Sequence, residues 1–139
     1  MTTTPSDAGE AFELRPGTFG HSLGPIIREA SPDRVVAELE VRSGLKTSWG
    51  ALHGGAIMTL ADTLTANATF LNLPAGTTTA TIESKTNFFA AAREGVIVAE
   101  TTPLHRGART MVWQTRVTNS EGRLLALVIQ TQAVINSSR

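Results

Sequence analysis

One helix with a single charged residue most constrains what this chain can fold into. Apolar residues recur at helical spacing over residues 54–71, at Ile57, Leu60, Ala61, Leu64, Ala68 and Leu71. No proline and no long β-branched run interrupts this pattern. Asp62 is the one charged side chain of the stretch. Because burying a charge is costly, a carboxylate kept in such a helix indicates a functional role.

Asp62 belongs to a narrow polar stripe on the predicted helix. The other members, three or four residues from their neighbours in the stripe, are Thr59, Thr63 and Asn67. The simplest interpretation is a solvent-facing surface. A solvated face of this length usually carries Lys, Glu or Arg, whereas this one carries Thr, Asn and one carboxylate. The composition therefore favours a lined pocket or an interface.

The helix begins with Gly54 and Gly55, directly after His53. First-turn N–H groups have no partner within a helix, so this turn could receive a carbonyl oxygen or an oxyanion. Alternatively, the glycines only permit a tight strand-to-helix turn. His53 and Asp62 are separated by about 13 Å along a helix and about half a turn around it. If both ends act in one reaction, they belong to different subunits, and a twofold dimer would contain two shared sites.

The remainder of the chain is predicted to form strands. Residues 34–41 alternate apolar and polar side chains with a period of two. They form the first strand, or the second if residues 12–14 also pair. Short turns separate four later segments, residues 77–89, 96–103, 110–117 and 124–135, and predict antiparallel neighbours. The predicted class is α+β, with one long helix packed on a curled antiparallel sheet.

Length and composition limit the number of domains and the partners. The chain has 139 residues, enough for one domain, and we expect residues 1–10 to be a disordered tail and residues 11–139 to be that domain. Twelve Lys and Arg balance twelve Asp and Glu without a basic patch, so no nucleic-acid partner is expected. The absence of cysteine, of a signal peptide pattern and of an apolar run of about 20 residues predicts a cytoplasmic protein without a membrane partner.

The start of the helix resembles a known family. The run HGGAIMTLADT, residues 53–63, is similar to the hotdog-fold thioesterases of the phenylacetic-acid-pathway type, relatives of the 4-hydroxybenzoyl-CoA thioesterases. The likeness covers residues 30–135, including the closing ALVIQTQAVI. It implies a hotdog fold and hydrolysis of an acyl-CoA or aryl-CoA thioester at sites between subunits of a homo-oligomer, either a dimer or a dimer of dimers, which is a homotetramer. Coenzyme A would be part of the substrate, and no cofactor is implied.

The resemblance also implies roles for individual residues. The Gly54 N–H would polarise the thioester carbonyl, and His53 would help shape that turn. His53 either acts directly in catalysis or only caps the turn through a local hydrogen bond. Asp62 of the partner subunit would act as nucleophile or general base. Gly55 and Thr63 would contact the substrate. Thr81 is close to where some relatives place a hydroxyl that orients the attacking water.

One departure from the family pattern keeps a second function open. Relatives often carry Asn or Gln six residues before the histidine, where its side chain contacts the thioester or the nucleophilic water, and this chain has Thr47. The shorter Thr47 hydroxyl could bind the substrate in its place, or Ser48 could shift into that position. The alternative is therefore a non-catalytic hotdog protein that binds acyl-CoA. A hotdog dehydratase or hydratase would need its histidine and acid in other motifs, which are not found.

Basic and histidine side chains outside the helix give weaker signals. Arg106 and Arg109 flank a turn after a strand and could meet the phosphates of coenzyme A, although a solvated turn is the favoured interpretation for each of them alone. His21 and His105 have no partner pattern. Three scattered histidines without cysteine do not make a ligand set, so no metal site is predicted.

Overall fold

One long helix and six strands make up most of the described chain, residues 14–137 of a computed structural model. A short helix α1 (Phe19–Leu23) precedes the strands β1 (Ile26–Ser31) and β2 (Arg34–Glu40). A 3₁₀ turn (Ser43–Leu45) leads to the long helix α2 (Gly54–Phe70). The remaining strands are β3 (Thr77–Phe88), β4 (Val96–Arg106), β5 (Thr110–Thr118) and β6 (Leu124–Asn136). The predicted tail, residues 1–10, lies outside the described residues.

All six strands form one antiparallel sheet in the order β1-β2-β4-β5-β6-β3. The α+β class, the long helix and the five predicted strands are confirmed, with ends that differ by at most three residues. β1 was missed because it has one buried residue, Ala30, and so lacks a clear apolar alternation. Leu14 is not part of a strand, and residues 12 and 13 lie outside the described chain.

The predicted pairing of β3 with β4 is wrong. β3 pairs with β6 instead, from Thr77 opposite Asn136 to Phe88 opposite Ala126. The connecting residues 89–95 do not form a tight hairpin. They first follow β6, where the Phe89 N–H donates to the Leu125 carbonyl at 2.8 Å, and then leave it to meet β2, where the Gly95 carbonyl accepts from Val41. β5 and β6 therefore lie between the two strands.

The sheet curls around α2, which contacts strands β2 to β6. The helix is buried from Ile57 to Thr69 except at three positions, the half-buried Thr59 and the exposed Met58 and Asp62. Its buried residues pack against apolar side chains of the sheet, chiefly Val35, Leu39, Ile97, Trp113, Val117 and Leu125. Each fully buried Leu or Ile contributes about 1.5–3 kcal/mol. This packing fixes which side of α2 faces the sheet, and hence where Asp62 lies.

Candidate active site

His53 caps the N-terminus of α2 and leaves one backbone donor free. Its Nδ1 accepts the N–H of Gly55 at 2.8 Å, and its carbonyl oxygen accepts the N–H groups of Ala56 at 2.9 Å and Ile57 at 3.4 Å. The Gly54 N–H has no acceptor among residues 14–137. The first turn therefore presents a single unpartnered donor at the positive end of the helix dipole.

The capping bond also defines the state of the His53 ring. A nitrogen that accepts an N–H cannot carry a proton, so the neutral ring carries its proton on Nε2. The side chain is exposed, and this Nε2–H can donate to a ligand. The structure thus assigns His53 the local capping role that sequence analysis considered.

Both glycines of the first turn allow a close approach. A Cβ at Gly55 would lie 2.9 Å from His53 Nδ1, so a side chain there would displace the cap. A Cβ at Gly54 would lie 3.0 Å from Cζ of Phe88. Neither glycine has a positive φ, so contact rather than backbone conformation explains the residue type.

Two cavities flank this turn. One has a volume of about 380 Å³ and lies beside His53 and Gly55, with Phe19, Leu23, Leu45 and Ala56 among its lining residues. The other, of about 390 Å³, lies beside Gly54 and is lined by Ile57, Phe88, Phe89 and Ala90 among others. Both fall in the size range of small-molecule sites.

Asp62 is held by hydrogen bonds from the sheet. Its Oδ1 accepts from Gln130 Nε2 at 2.7 Å and has the Thr81 hydroxyl within hydrogen-bonding distance at 3.0 Å. Its Oδ2 accepts no hydrogen bond from residues 14–137, and the residue is exposed. The structure therefore brings the predicted Thr81 to Asp62 and adds a residue, Gln130, that sequence analysis missed.

Gln130 and Gln132 form a buried polar pair on β6. They are 0% and 1% exposed, and Gln130 Nε2 donates to Gln132 Oε1 at 2.9 Å. Thr81 Oγ1 lies 2.7 Å from Gln132 Oε1. The available signal was two amides at a spacing of two in an otherwise apolar strand, which places both side chains on one face. The unexpected pairing of β3 with β6 brings Thr81 opposite Gln132 and so adds the Thr81 hydroxyl to this pair.

The other side chains of the polar stripe form hydrogen bonds with the backbone of α2. The side chains of Thr59, Thr63 and Asn67 donate to the carbonyls four residues earlier at 2.8, 2.7 and 3.0 Å. Thr63 and Asn67 are buried, so the solvent-facing interpretation is wrong for them. The structure does not bring the Thr63 hydroxyl to the Asp62 carboxylate.

Within residues 14–137, Thr47 and the two arginines make no hydrogen bond to the first turn of α2 or to Asp62. Thr47 Oγ1 accepts the N–H of Trp49 at 3.2 Å, within a turn before α2. Arg106 binds Asp33 at 2.7 Å beside the C-terminal end of α2, about 25 Å along the axis from Gly54. Arg109 is exposed in the β4–β5 turn. Within one subunit, therefore, neither arginine is placed at the first turn of α2.

Two further features are absent from residues 14–137. No three histidine, aspartate or glutamate side chains of this part of the chain are grouped as metal ligands. No helix there has the length and apolar composition needed to span a bilayer.

A sheet of six antiparallel strands curled around one long helix is the hotdog fold, and solved thioesterases share it. A thioesterase from Haemophilus influenzae superposes with a TM-score of 0.91 at 27% identity, covering 100% of this chain and 95% of that one. AziG from S. sahachiroi superposes with a TM-score of 0.83 at 30% identity, covering 86% of this chain and 98% of its own. The predicted fold is confirmed.

Sequence comparison identifies the family. The model of the thioesterase superfamily matches residues 50–126. The 1,4-dihydroxy-2-naphthoyl-CoA hydrolase of Escherichia coli is 33% identical over 103 residues, 74% of this chain and 76% of that relative. The chain therefore belongs to the thioesterase superfamily, as the resemblance indicated. Thioester hydrolysis is accordingly its class of reaction.

Proposed function

We propose that the chain hydrolyses the thioester of an acyl-CoA, aromatic acyl groups included, to a carboxylic acid and free coenzyme A. The observation that most directly supports this proposal is that one helix carries two suitable groups. These are the Gly54 N–H, which has no acceptor in the described residues, and the carboxylate of Asp62, which is held by a hydrogen bond. The name of the Escherichia coli relative supports a CoA thioester with an aromatic acyl group as the substrate class.

The Gly54 N–H supplies the electrophilic half of the site. It donates to the thioester carbonyl oxygen and stabilises the negative charge that develops there as the carbonyl carbon becomes tetrahedral. The positive end of the helix dipole also stabilises this negative charge. His53 keeps the neighbouring Gly55 N–H occupied, so the substrate oxygen meets one defined donor.

Asp62 supplies the basic half by one of two routes. As a general base it accepts a proton from water, and the water oxygen attacks the carbonyl carbon. The C–S bond then breaks, and the proton passes from Asp62 to the departing thiolate. As a nucleophile its Oδ2 attacks the carbonyl carbon, releases the thiolate and leaves an anhydride for water to hydrolyse. Solvent-labelled oxygen under single-turnover conditions separates the routes.

The two halves act across two copies of the chain. Gly54 and Asp62 are about 12 Å apart along the axis of α2, too far to contact one thioester carbonyl. The Gly54 N–H of one subunit and Asp62 of the partner subunit therefore form each site. A twofold dimer contains two such sites, and two dimers can combine into a tetramer.

Strand β3 is the proposed dimer edge. Among the described residues it pairs with β6 alone, and its exposed apolar residues Ile82 and Phe88, with Phe89 just beyond its end, are 51–60% exposed in the single chain. An open strand edge with apolar side chains favours pairing with a second copy. β3 also carries Thr81, so such an interface would adjoin Asp62.

The test is thiol release from a panel of aryl-, short-chain and long-chain acyl-CoAs. In Asp62→Asn, kcat should fall by about 10²- to 10⁴-fold because a neutral amide cannot accept the proton or attack the carbonyl. Glu121→Gln, the same chemical change in the exposed β5–β6 turn, is the matched control and should retain wild-type kcat.

Near-full activity of folded Asp62→Asn would refute the assigned mechanism. If no member of the panel is hydrolysed while acyl-CoAs bind to the wild type, the chain is the non-catalytic binding protein instead. The position of Thr47, whose hydroxyl is held in its own turn, would then be the first feature to explain the missing turnover.

A further inference from the structure

We propose that Gln130 is a positioning residue that holds Oδ1 of Asp62 and leaves Oδ2 as the reacting oxygen. The inference rests on the proposed role of Asp62. It concerns how that carboxylate is oriented, which neither family membership nor the helix motif specifies. Gln130 lies on β6, a strand in which sequence analysis named no site residue.

The hydrogen bond from Gln130 to Asp62 is short, and its donor, Gln130, is shielded from solvent. Its Nε2–Oδ1 distance is 2.7 Å, and Gln130 is 0% exposed. An N–H donor to a carboxylate makes a charge-assisted bond, roughly twice as strong as a neutral one. Because the donor is rigidly packed, the bond costs little further ordering when substrate arrives.

A chain of hydrogen bonds that ends on the backbone determines how the Gln130 amide is turned. Its Nε2 also donates to Gln132 Oε1 at 2.9 Å, so both N–H protons have acceptors. Gln132 Nε2 donates to Thr79 Oγ1 at 3.0 Å, and Thr79 Oγ1 donates to the Ala133 carbonyl at 2.8 Å. A flipped Gln130 amide would place its oxygen against two acceptors, which is unfavourable.

Thr81 cannot replace Gln130 in this role. Its hydroxyl has one proton and two acceptors in reach, Gln132 Oε1 at 2.7 Å and Asp62 Oδ1 at 3.0 Å. A hydroxyl donates one hydrogen bond at a time, and the shorter distance is to Gln132. Gln130 is therefore the donor that stays committed to Asp62.

Packing alone does not explain a glutamine at position 130. Its Oε1 is buried and has no hydrogen-bond partner among residues 14–137, which destabilises the folded state. An apolar residue of similar shape on this core strand would avoid that cost. A residue kept at such a cost commonly serves the site that it contacts.

The first experiment compares Gln130→Met with Gln114→Met by acyl-CoA hydrolysis. Methionine has nearly the shape of glutamine but no donor, and Gln114 lies on β5 on the face away from α2. We expect kcat of Gln130→Met to fall roughly 10- to 100-fold, from the lost charged hydrogen bond and the misplaced carboxylate. KM should change less than about twofold because Gln130 is buried away from the substrate. Gln114→Met should match the wild type.

A second variant, Gln130→Glu, separates positioning from general support of the fold. The introduced carboxyl can donate to Asp62 when protonated and repels it when ionised. The ratio of its kcat to that of the wild type should therefore fall as pH rises. At low pH, where the protonated carboxyl restores a donor, kcat of Gln130→Glu should exceed that of Gln130→Met; if Gln130 only fills space, the two variants should have equal kcat there.

Either of two results overturns the inference while Asp62→Asn stays inactive: wild-type kcat in folded Gln130→Met, or a kcat of Gln130→Glu at low pH that does not exceed that of Gln130→Met. Should Gln130→Met fail to fold, Gln130→Leu, which also lacks the donor, replaces it in both comparisons. Activity in Asp62→Asn would instead refute the proposed function itself, so the two failures are distinguishable.

Discussion

Adjacent glycines in the first turn of α2 have different partners, although the sequence alone treats them as a pair. The Gly55 N–H donates to His53, whereas the Gly54 N–H has no acceptor among residues 14–137. Gly54 is the first helical residue, and His53 before it has φ −63° and ψ 135°. That conformation is the one preferred before proline, and proline is well tolerated at the first helical position. The donor can therefore be deleted without breaking the helix.

We predict that Gly54→Pro lowers kcat/KM about 10²- to 10³-fold, the loss expected when one oxyanion donor is removed. Gly54→Ala is the matched control because it keeps the N–H and places the same Cβ 3.0 Å from the exposed Phe88 ring, which can move aside. Thiol release and circular dichroism on both variants check this. Equal activity of the two would mean that the Gly54 N–H does not contact the reacting oxygen.

At the level of elements, the two edges of the sheet differ. β1 ends one edge and β3 the other, and each exposes an isoleucine, Ile26 at 54% and Ile82 at 60%. β3 is twice as long, 12 residues against 6, and adjoins Asp62 through Thr81. The proposed dimer uses the β3 edge alone.

We predict that Ile82→Lys weakens self-association and lowers activity in parallel, because a charged side chain on β3 would have to be desolvated in the interface. Ile26→Lys, the same change at the opposite edge, should preserve both. Sedimentation velocity at micromolar concentration and thiol release measure the two properties. A wild-type chain that sediments as a monomer would contradict the shared site, and equal effects of the two variants would contradict the choice of edge.

For the whole molecule, the consequence of a split site is complementation between defective copies. A heterodimer of Gly54→Pro and Asp62→Asn has one site with both groups intact and one site with neither. Random mixing makes about half of the dimers mixed, each with one working site, so activity should recover to about one quarter of wild type.

Unfolding and refolding the two inactive variants together tests this prediction, with each variant refolded alone as the control. No recovery, despite mixed dimers detected by differential tagging, would place both groups of the site in one subunit.

Local pattern was enough to predict much of this protein. The helical period located α2, the single charge identified Asp62, and alternation with turn residues located five strands. These signals arise from residues within one turn or one strand, so they can be read without knowing the fold. The motif at residues 53–63 also indicated the family, which the superfamily match confirmed.

Tertiary structure alone decided which segments meet. The pairing of β3 with β6 joins residues that are 38–59 positions apart. In the curled sheet Thr81 and Gln130 lie against Asp62. Arg106, in contrast, binds Asp33. No local pattern encodes such a register, because it depends on how the whole sheet buries its apolar face around α2. The carboxylate could be identified from the sequence, whereas the amide that orients it required the assembled sheet.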